Sequence, residues 1–206
     1  MSPIELIRKA EEIGMISEIG QFVIRRSCEE MIRFFPNGPD AIGLSINVSP
    51  SQLIEDKFIE KLSQTVDEYQ IDRDRVTIEI TENVFINDLE LVTPILNQAR
   101  EMGFSIALDD FGTGFSSLSY LCNLPITEIK IDRSFIDRLL TSQQSDGLIK
   151  AIIAIGDSHT LKVVAEGIES QAQFEKLQQY HCNLGQGYFF AKPVPLEQLT
   201  DFRPNI

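Results

Sequence analysis

Short β-rich runs alternate with amphipathic helical runs along this chain, and that rhythm limits its folds more than any other feature. Candidate strands lie at residues 41–47, 76–80, 104–108, 126–131, 162–165 and 187–190. Between them come helical patterns at 51–69, 89–102, 134–140, 148–158 and 171–180. The first of these carries Leu53, Phe58, Leu62 and Val66 near helical spacing, and the second ends at Gly103, a sound stop for a helix. Strands alternating with helices imply a parallel sheet. The N-terminus departs from the rhythm. Residues 3–14 form a helix with Ile4, Ile7, Ala10 and Ile13 on one face, a second helix spans 19–34, and no strand precedes either. With no linker and no low-complexity segment, residues 1–206 read as a single domain.

The strands share a second property: each ends on polar residues. Asn47 closes the first, Glu79 lies in the second with Glu82 just beyond, and Asp109-Asp110 end the third. Lys130 and Asp132 belong to the fourth, Glu166 and Glu169 follow the fifth, and Gln186 precedes the sixth. In a closed (β/α) barrel the carboxyl ends of all strands meet at one mouth, where active sites form. In an open doubly wound sheet they spread along an edge. Acids distributed over so many strands favour the barrel, since closure is what gathers them. The fold expected is therefore α/β, a TIM-like barrel with about six of the eight strands present, because a full barrel takes about 250 residues.

Composition narrows the function. A net charge of −13 argues against a nucleic-acid polymer as partner, since that needs clustered Lys and Arg. A small anionic substrate stays open, because bound cations can supply the positive field. No apolar run reaches the length of a membrane span, and no signal peptide is recognisable. Cys28, Cys122 and Cys182 form no C-x-x-C pair and read as reduced thiols, so the expected location is the cytoplasm.

The segment Phe104-Ser-Ile-Ala-Leu-Asp109-Asp110-Phe-Gly-Thr-Gly114 carries the sharpest chemistry. Two adjacent carboxylates at a strand end repel unless something offsets them. A divalent ion does so through hard oxygen ligands, as Mg²⁺, Mn²⁺ or Ca²⁺ would. The alternative is helix capping by Asp110 or Thr113. Gly112 and Gly114 in the loop that follows can take positive φ.

Seven segments, in order and across essentially the whole chain, resemble the EAL family of bacterial cyclic-di-GMP phosphodiesterases. They are Ser2-Pro-Ile-Glu-Leu-Ile with Ala10-Glu-Glu-Ile-Gly-Met-Ile16; Ile46-Asn-Val-Ser-Pro50; Ile78-Glu-Ile-Thr-Glu82; Leu108-Asp-Asp-Phe-Gly-Thr-Gly114; Glu128-Ile-Lys-Ile-Asp132; Val164-Ala-Glu-Gly-Ile-Glu169; and Gly185-Gln-Gly-Tyr-Phe-Phe-Ala-Lys-Pro193. The Glu-Ala-Leu signature that names the family is absent. The resemblance implies that two opening strands are missing with it, carrying one metal-binding Glu and a substrate-contacting Arg.

The resemblance implies two Mg²⁺ or Mn²⁺ ions, with Asn47, Glu79, Asp109, Asp110 and Glu166 among their ligands and Ca²⁺ as an inhibitory ion. Asp109 or Asp110 would bridge the pair. Two such ions about 3.5–4 Å apart can activate a water, neutralise phosphate oxygens and support the leaving oxygen. Four carboxylates and an amide suit hard cations, and no His or Cys set suggests zinc. Lys130 would stand beside the attacking water, orienting it without acting as the base. Glu82 would steady the loop after Asp109-Asp110, the alternative being an acid favoured by a helix N-terminus. Gln186 and Asp132 are candidate substrate contacts, and Asp132 and Glu169 could equally cap or face solvent. The resemblance further implies a homodimer through the loop 111–117 and the helix after it, and an attached or separate sensor domain.

Three motifs mislead. Asp110-Phe111-Gly112 matches a kinase tripeptide, but no nucleotide loop or catalytic His-Arg-Asp accompanies it. His159 and His181 stand alone at element ends, and the phenylalanines are dispersed as core residues are. Two functions follow. One is a metal-dependent phosphodiesterase opening cyclic-di-GMP to linear pGpG. The other is a non-hydrolysing module that binds the nucleotide or dimerises, with unpaired strand edges at 41–47 and 187–190. A distant rival is an enolase-like barrel lyase, disfavoured by the order of the matched segments.

Overall fold

The computed structural model of the protein describes residues 3–36, 38, 42–82, 84–112, 124–182 and 184–199. Two helices come first, α1 (Pro3–Glu12) and α2 (Ile16–Phe34), then β1 (Leu44–Asn47). The short α3 (Pro50–Leu53) and α4 (Phe58–Glu68) lead to β2 (Val76–Thr81), and α5 (Val84–Glu101) leads to β3 (Ser105–Phe111). Next are β4 (Glu128–Ile131), α6 (Arg133–Ile136), α7 (Gln143–His159) and β5 (Lys162–Glu166). The described chain closes with α8 (Gln171–Gln179), β6 (Leu184–Gln186) and α9 (Leu196–Leu199).

All strand pairings are parallel, and the strands lie in chain order from β1 to β6. Sequential order is that of a singly wound barrel; a doubly wound sheet reverses at a switch point. The sheet is curled into a half-barrel, with helices outside.

The register shows how the curl is built. Asn47 pairs with Glu79, but Asp109 pairs with Thr81, two residues further along β2. Lys130 pairs with Val164, two residues short of Glu166, and Glu166 pairs with Gln186. The row of inward polar residues thus steps up by two at every second strand. That stagger averages one residue per strand, which matches the shear of about 8 that closes eight tilted strands.

Alternation then sorts the side chains. Ile78, Ile80, Ile106, Leu108, Ile129 and Ile131 face the helices and are fully buried with Leu53, Leu62, Leu96 and Ile136. The opposite face carries Glu79, Asp109, Lys130 and Glu166, whose side chains meet. Beneath them, at the same parity, lie Thr77, Ala107, Glu128 and Val164.

Several expected boundaries shift. The helical pattern at 51–69 is two helices. Ser49 and Gln52 form a reciprocal cap for α3, Ile54 ends it, and Lys57 in left-handed geometry (φ 58°) starts α4. Helix α7 begins earlier than expected, because the Ser142 side chain caps it by accepting from Ser145 N. The clearest correction is β6. It occupies Leu184–Gln186, and residues 187–190 form a turn in which Phe190 N donates to Gly187 O. Phe189 and Phe190 pack on Phe174 of α8, with ring centroids 5.3 and 5.6 Å away, so aromatic burial overrides strand propensity. Of the loop 111–117 and the helix after it, expected to carry dimerisation, only Phe111 and Gly112 are described; residues 113–123, Cys122 among them, lie outside the described residues. No described helix is long and apolar enough to cross a membrane.

Leu108 is fully buried at the centre of the sheet. Replacing it with alanine is expected to cost about 3 kcal/mol. The measurement is urea unfolding, with a lower midpoint and an unchanged slope.

Candidate metal centre

Lys130 organises the mouth of the sheet. Its Nζ lies 3.0 Å from Glu79 Oε2, 3.1 Å from Asp109 Oδ1 and 2.8 Å from Glu166 Oε1. These groups come from β4, β2, β3 and β5, and only the staggered curl brings four strand ends within one hydrogen-bond radius. Burial alone would lower the Lys130 pKa. The hydrogen bond to Glu166 and the charges of Glu79 and Asp109 outweigh it, so the ammonium is held protonated above its ordinary range.

Asp110 arrives by a different route. Neighbouring residues of a regular strand point to opposite faces. Between Leu108, opposite Ile129, and Phe111, opposite Ile131, β3 carries one residue more than β4. This is a β-bulge, and Asp110 sits in it with φ 54°, a left-handed geometry that Asp tolerates better than most residues. The bulge re-aims its side chain, so that oxygens of Asp109, Asp110 and Glu166 all lie within 4.8 Å of one another. Strand β3 thus runs through the acidic pair to Phe111, where the sequence suggested a strand ending at Leu108.

Negative charge exceeds positive here. Four carboxylates, from Glu79, Asp109, Asp110 and Glu166, surround the ammonium of Lys130. Burial pushes the Asp110 carboxyl above its usual range, and the charges of Asp109 and Asp132 push the same way. Burial likewise raises Glu166, with Asp109 and Glu79 adding to it against the pull of Lys130. Hard oxygen donors bearing unbalanced charge fit a divalent cation of the Mg²⁺, Mn²⁺ or Ca²⁺ type.

The remaining expected residues surround this cluster. Asn47 ends β1 in the position paired with Glu79, and Gln186 ends β6 paired with Glu166. Glu82 is buried beyond β2, three residues from Glu79. Asp132 caps α6: its Oδ1 accepts from the backbone N of Ser134 at 3.0 Å and from that residue's hydroxyl. Glu169 pairs with Arg133, Oε1 to Nη2 2.7 Å. One residue of the cluster's surroundings escaped sequence reasoning. Glu128, two positions before Lys130 on the same face, is raised by burial and lies close enough to feel Lys162, Glu79 and Lys130. The period-2 rule applied backward from Lys130 was the signal that could have found it.

The sequence model of the EAL domain matches residues 1–193. The chain belongs to the EAL domain family. It is 35% identical over 202 residues to the cyclic di-GMP phosphodiesterase NbdA of Pseudomonas aeruginosa, covering 98% of this chain and 26% of that protein. The chain therefore spans about a quarter of the length of this curated relative. The structure of the PaMucR phosphodiesterase in complex with c-di-GMP superposes with a TM-score of 0.91 at 35% identity, covering 97% of this chain and 81% of that one. The calcium and cyclic-di-GMP complex of Klebsiella pneumoniae BlrP1 gives 0.83 at 26% identity, over 94% and 48%.

The crowding of Asp110 has a pH signature in this EAL domain. A carboxyl whose folded pKa is raised stabilises the fold fully only below its unfolded value, near about 3.9. That contribution is lost as pH rises through the folded pKa. In chelator, Asp110→Asn is therefore expected to gain melting temperature relative to wild type between pH 4 and pH 7.5. With Mn²⁺ present the sign should reverse. Thermal scans with and without metal check both.

Proposed function

We propose that this EAL domain, residues 1–206, is a metal-dependent phosphodiesterase that hydrolyses cyclic-di-GMP to linear pGpG. The observation that carries the reading is the convergence of Glu79, Asp109 and Glu166 on Lys130, with Asp110 drawn in by the bulge. The family membership supplies the substrate class.

Asp109, Asp110, Glu166 and Glu79 would hold Mg²⁺ or Mn²⁺, with Asn47 as a further oxygen donor from the neighbouring strand. Divalent ions held by these residues would supply Lewis-acid chemistry, activating a water and neutralising charge on the phosphate and leaving oxygens. Lys130 keeps its proton at Nζ, so it is not the group that deprotonates the nucleophile. Its three N–H groups are engaged by Glu79, Asp109 and Glu166. When those carboxylates turn to bound cations, a released N–H would orient a water at the mouth, and the charge would offset that gathering on the phosphate oxygens. Gln186, beside Glu166 on the outer rim, is exposed and suited to an amide contact with the nucleotide. Asp132 contributes through the helix it caps, next to the charge of Asp110. Glu82, buried just beyond the end of β2, would steady the loop after Asp109-Asp110.

Incubation of the purified chain with cyclic-di-GMP and Mn²⁺ is expected to yield pGpG, followed by chromatography. Ca²⁺ is expected to occupy the same oxygens and stop the reaction. Lys130→Met should lower kcat by about 10²–10³-fold with a smaller change in KM. Turnover by Asp109→Ala equal to wild type would end the catalytic assignment. Nucleotide binding without product in wild type would favour a receptor.

A further inference from the structure

The ladder that fixes the acidic cluster stops just where the cluster needs it. The last β4–β5 pair is Ile131 with Ala165, so Glu166 has a strand partner only on its β6 side. The last β3–β4 pair is Phe111 with Ile131, so Gly112 lies beyond it. Both ends border carboxylates that repel one another, and backbones at such ends are held by whatever packs on them.

One helical turn packs on both. Gly112, one residue after Phe111, has φ 97°, and a Cβ there would stand 2.9 Å from Phe135 Cε2. Gly167, directly after Glu166, has φ 73°, and a Cβ there would stand 2.9 Å from the Cβ of Arg133 and run into its Cγ. Each glycine lets an α6 side chain lie flat on the backbone, directly after Glu166 at Gly167 and two residues after Asp110 at Gly112. The Arg133 guanidinium continues past Gly167 to Glu169, Nη2 to Oε1 2.7 Å. Gln173 completes the attachment. Its Nε2 donates to Ile136 O at 3.1 Å, and its Oε1 accepts from the backbone N of Glu169 at 2.9 Å and of Ser170 at 3.0 Å. The turn is therefore tied to the β5–α8 loop at both of its ends and wedged against the end of β3 on its other side.

We propose that α6 is a clamp that sets the spacing between Asp109-Asp110 and Glu166, with Arg133 and Phe135 as positioning residues for divalent-cation binding. The inference rests on the metal-centre reading above. Cation sites require ligands held within about 0.5 Å, and the groups that orient ligands typically govern affinity by 10–100-fold. Arg133 touches Gly167 with its stem and Glu169 with its head; Phe135 touches Gly112 with its ring edge. Both act on ligands through the neighbouring backbone.

The test is Mn²⁺ affinity by titration calorimetry on the metal-free chain, beside the unfolding midpoint in chelator. Arg133→Ala and Phe135→Ala are expected to weaken Mn²⁺ binding by about 10-fold each. Arg133→Lys, which keeps the stem on Gly167 and a charge toward Glu169, should remain near wild type. Asp109→Asn should abolish binding. Should Phe135→Ala fail to fold, Arg133→Ala decides, since that side chain is 51% exposed. Wild-type affinity in Arg133→Ala, with Asp109→Asn silent, overturns the clamp and leaves the metal centre standing. Wild-type affinity in Asp109→Asn overturns the metal centre and the clamp with it.

Discussion

Everything at the mouth of this sheet depends on electrostatic crowding around one ammonium. Three carboxylate oxygens lie within 3.1 Å of Lys130 Nζ, and a fourth acid enters through the bulge. A lone lysine cannot neutralise that set, and burial, with the neighbouring carboxylates adding to it, raises the carboxyls of Asp110 and Glu166. An arrangement this costly persists when it is compensated elsewhere. Here the compensation is the apolar layer on the other face of the same strands, where Ile78, Ile106, Leu108, Ile129 and Ile131 are completely buried.

The two faces are linked by geometry. Strand alternation gives each strand one apolar and one polar side, and a parallel ladder with a stagger of two residues at every second strand curls the polar sides toward one another. The same stagger leaves the ladder short at Ile131, where a single helical turn packs in its place. Fold stability and site geometry thus meet at α6: Ile136 is fully buried in the core, while Arg133 and Phe135 lie on the two glycines at the mouth.

Much of the architecture was legible in the sequence. The strand–helix rhythm, the parallel sheet and polar residues at successive strand ends follow from periodicity. The misreadings share a cause. The run Tyr188-Phe189-Phe190 has strand composition, yet it turns, and Phe189 and Phe190 pack on Phe174, because burial is a tertiary property. Leu53 and Phe58 fit one helical stripe but belong to two helices, since Lys57 takes left-handed geometry that composition does not announce. Asp132, for which the sequence left substrate contact, capping and solvent open, caps α6, a choice that local sequence does not make.

By itself the sequence determined which groups stand at the strand ends, for alternation and charge are local properties: Asn47, Glu79, Asp109, Lys130, Glu166 and Gln186 could be picked out from their neighbours alone. Tertiary structure alone decided how they meet. The extra residue in β3 that turns Asp110 toward Asp109 is defined only against β4, and the grip of Arg133 on Gly167 exists only because two loops come together. Register and close packing are relations between distant segments, and no segment carries them by itself.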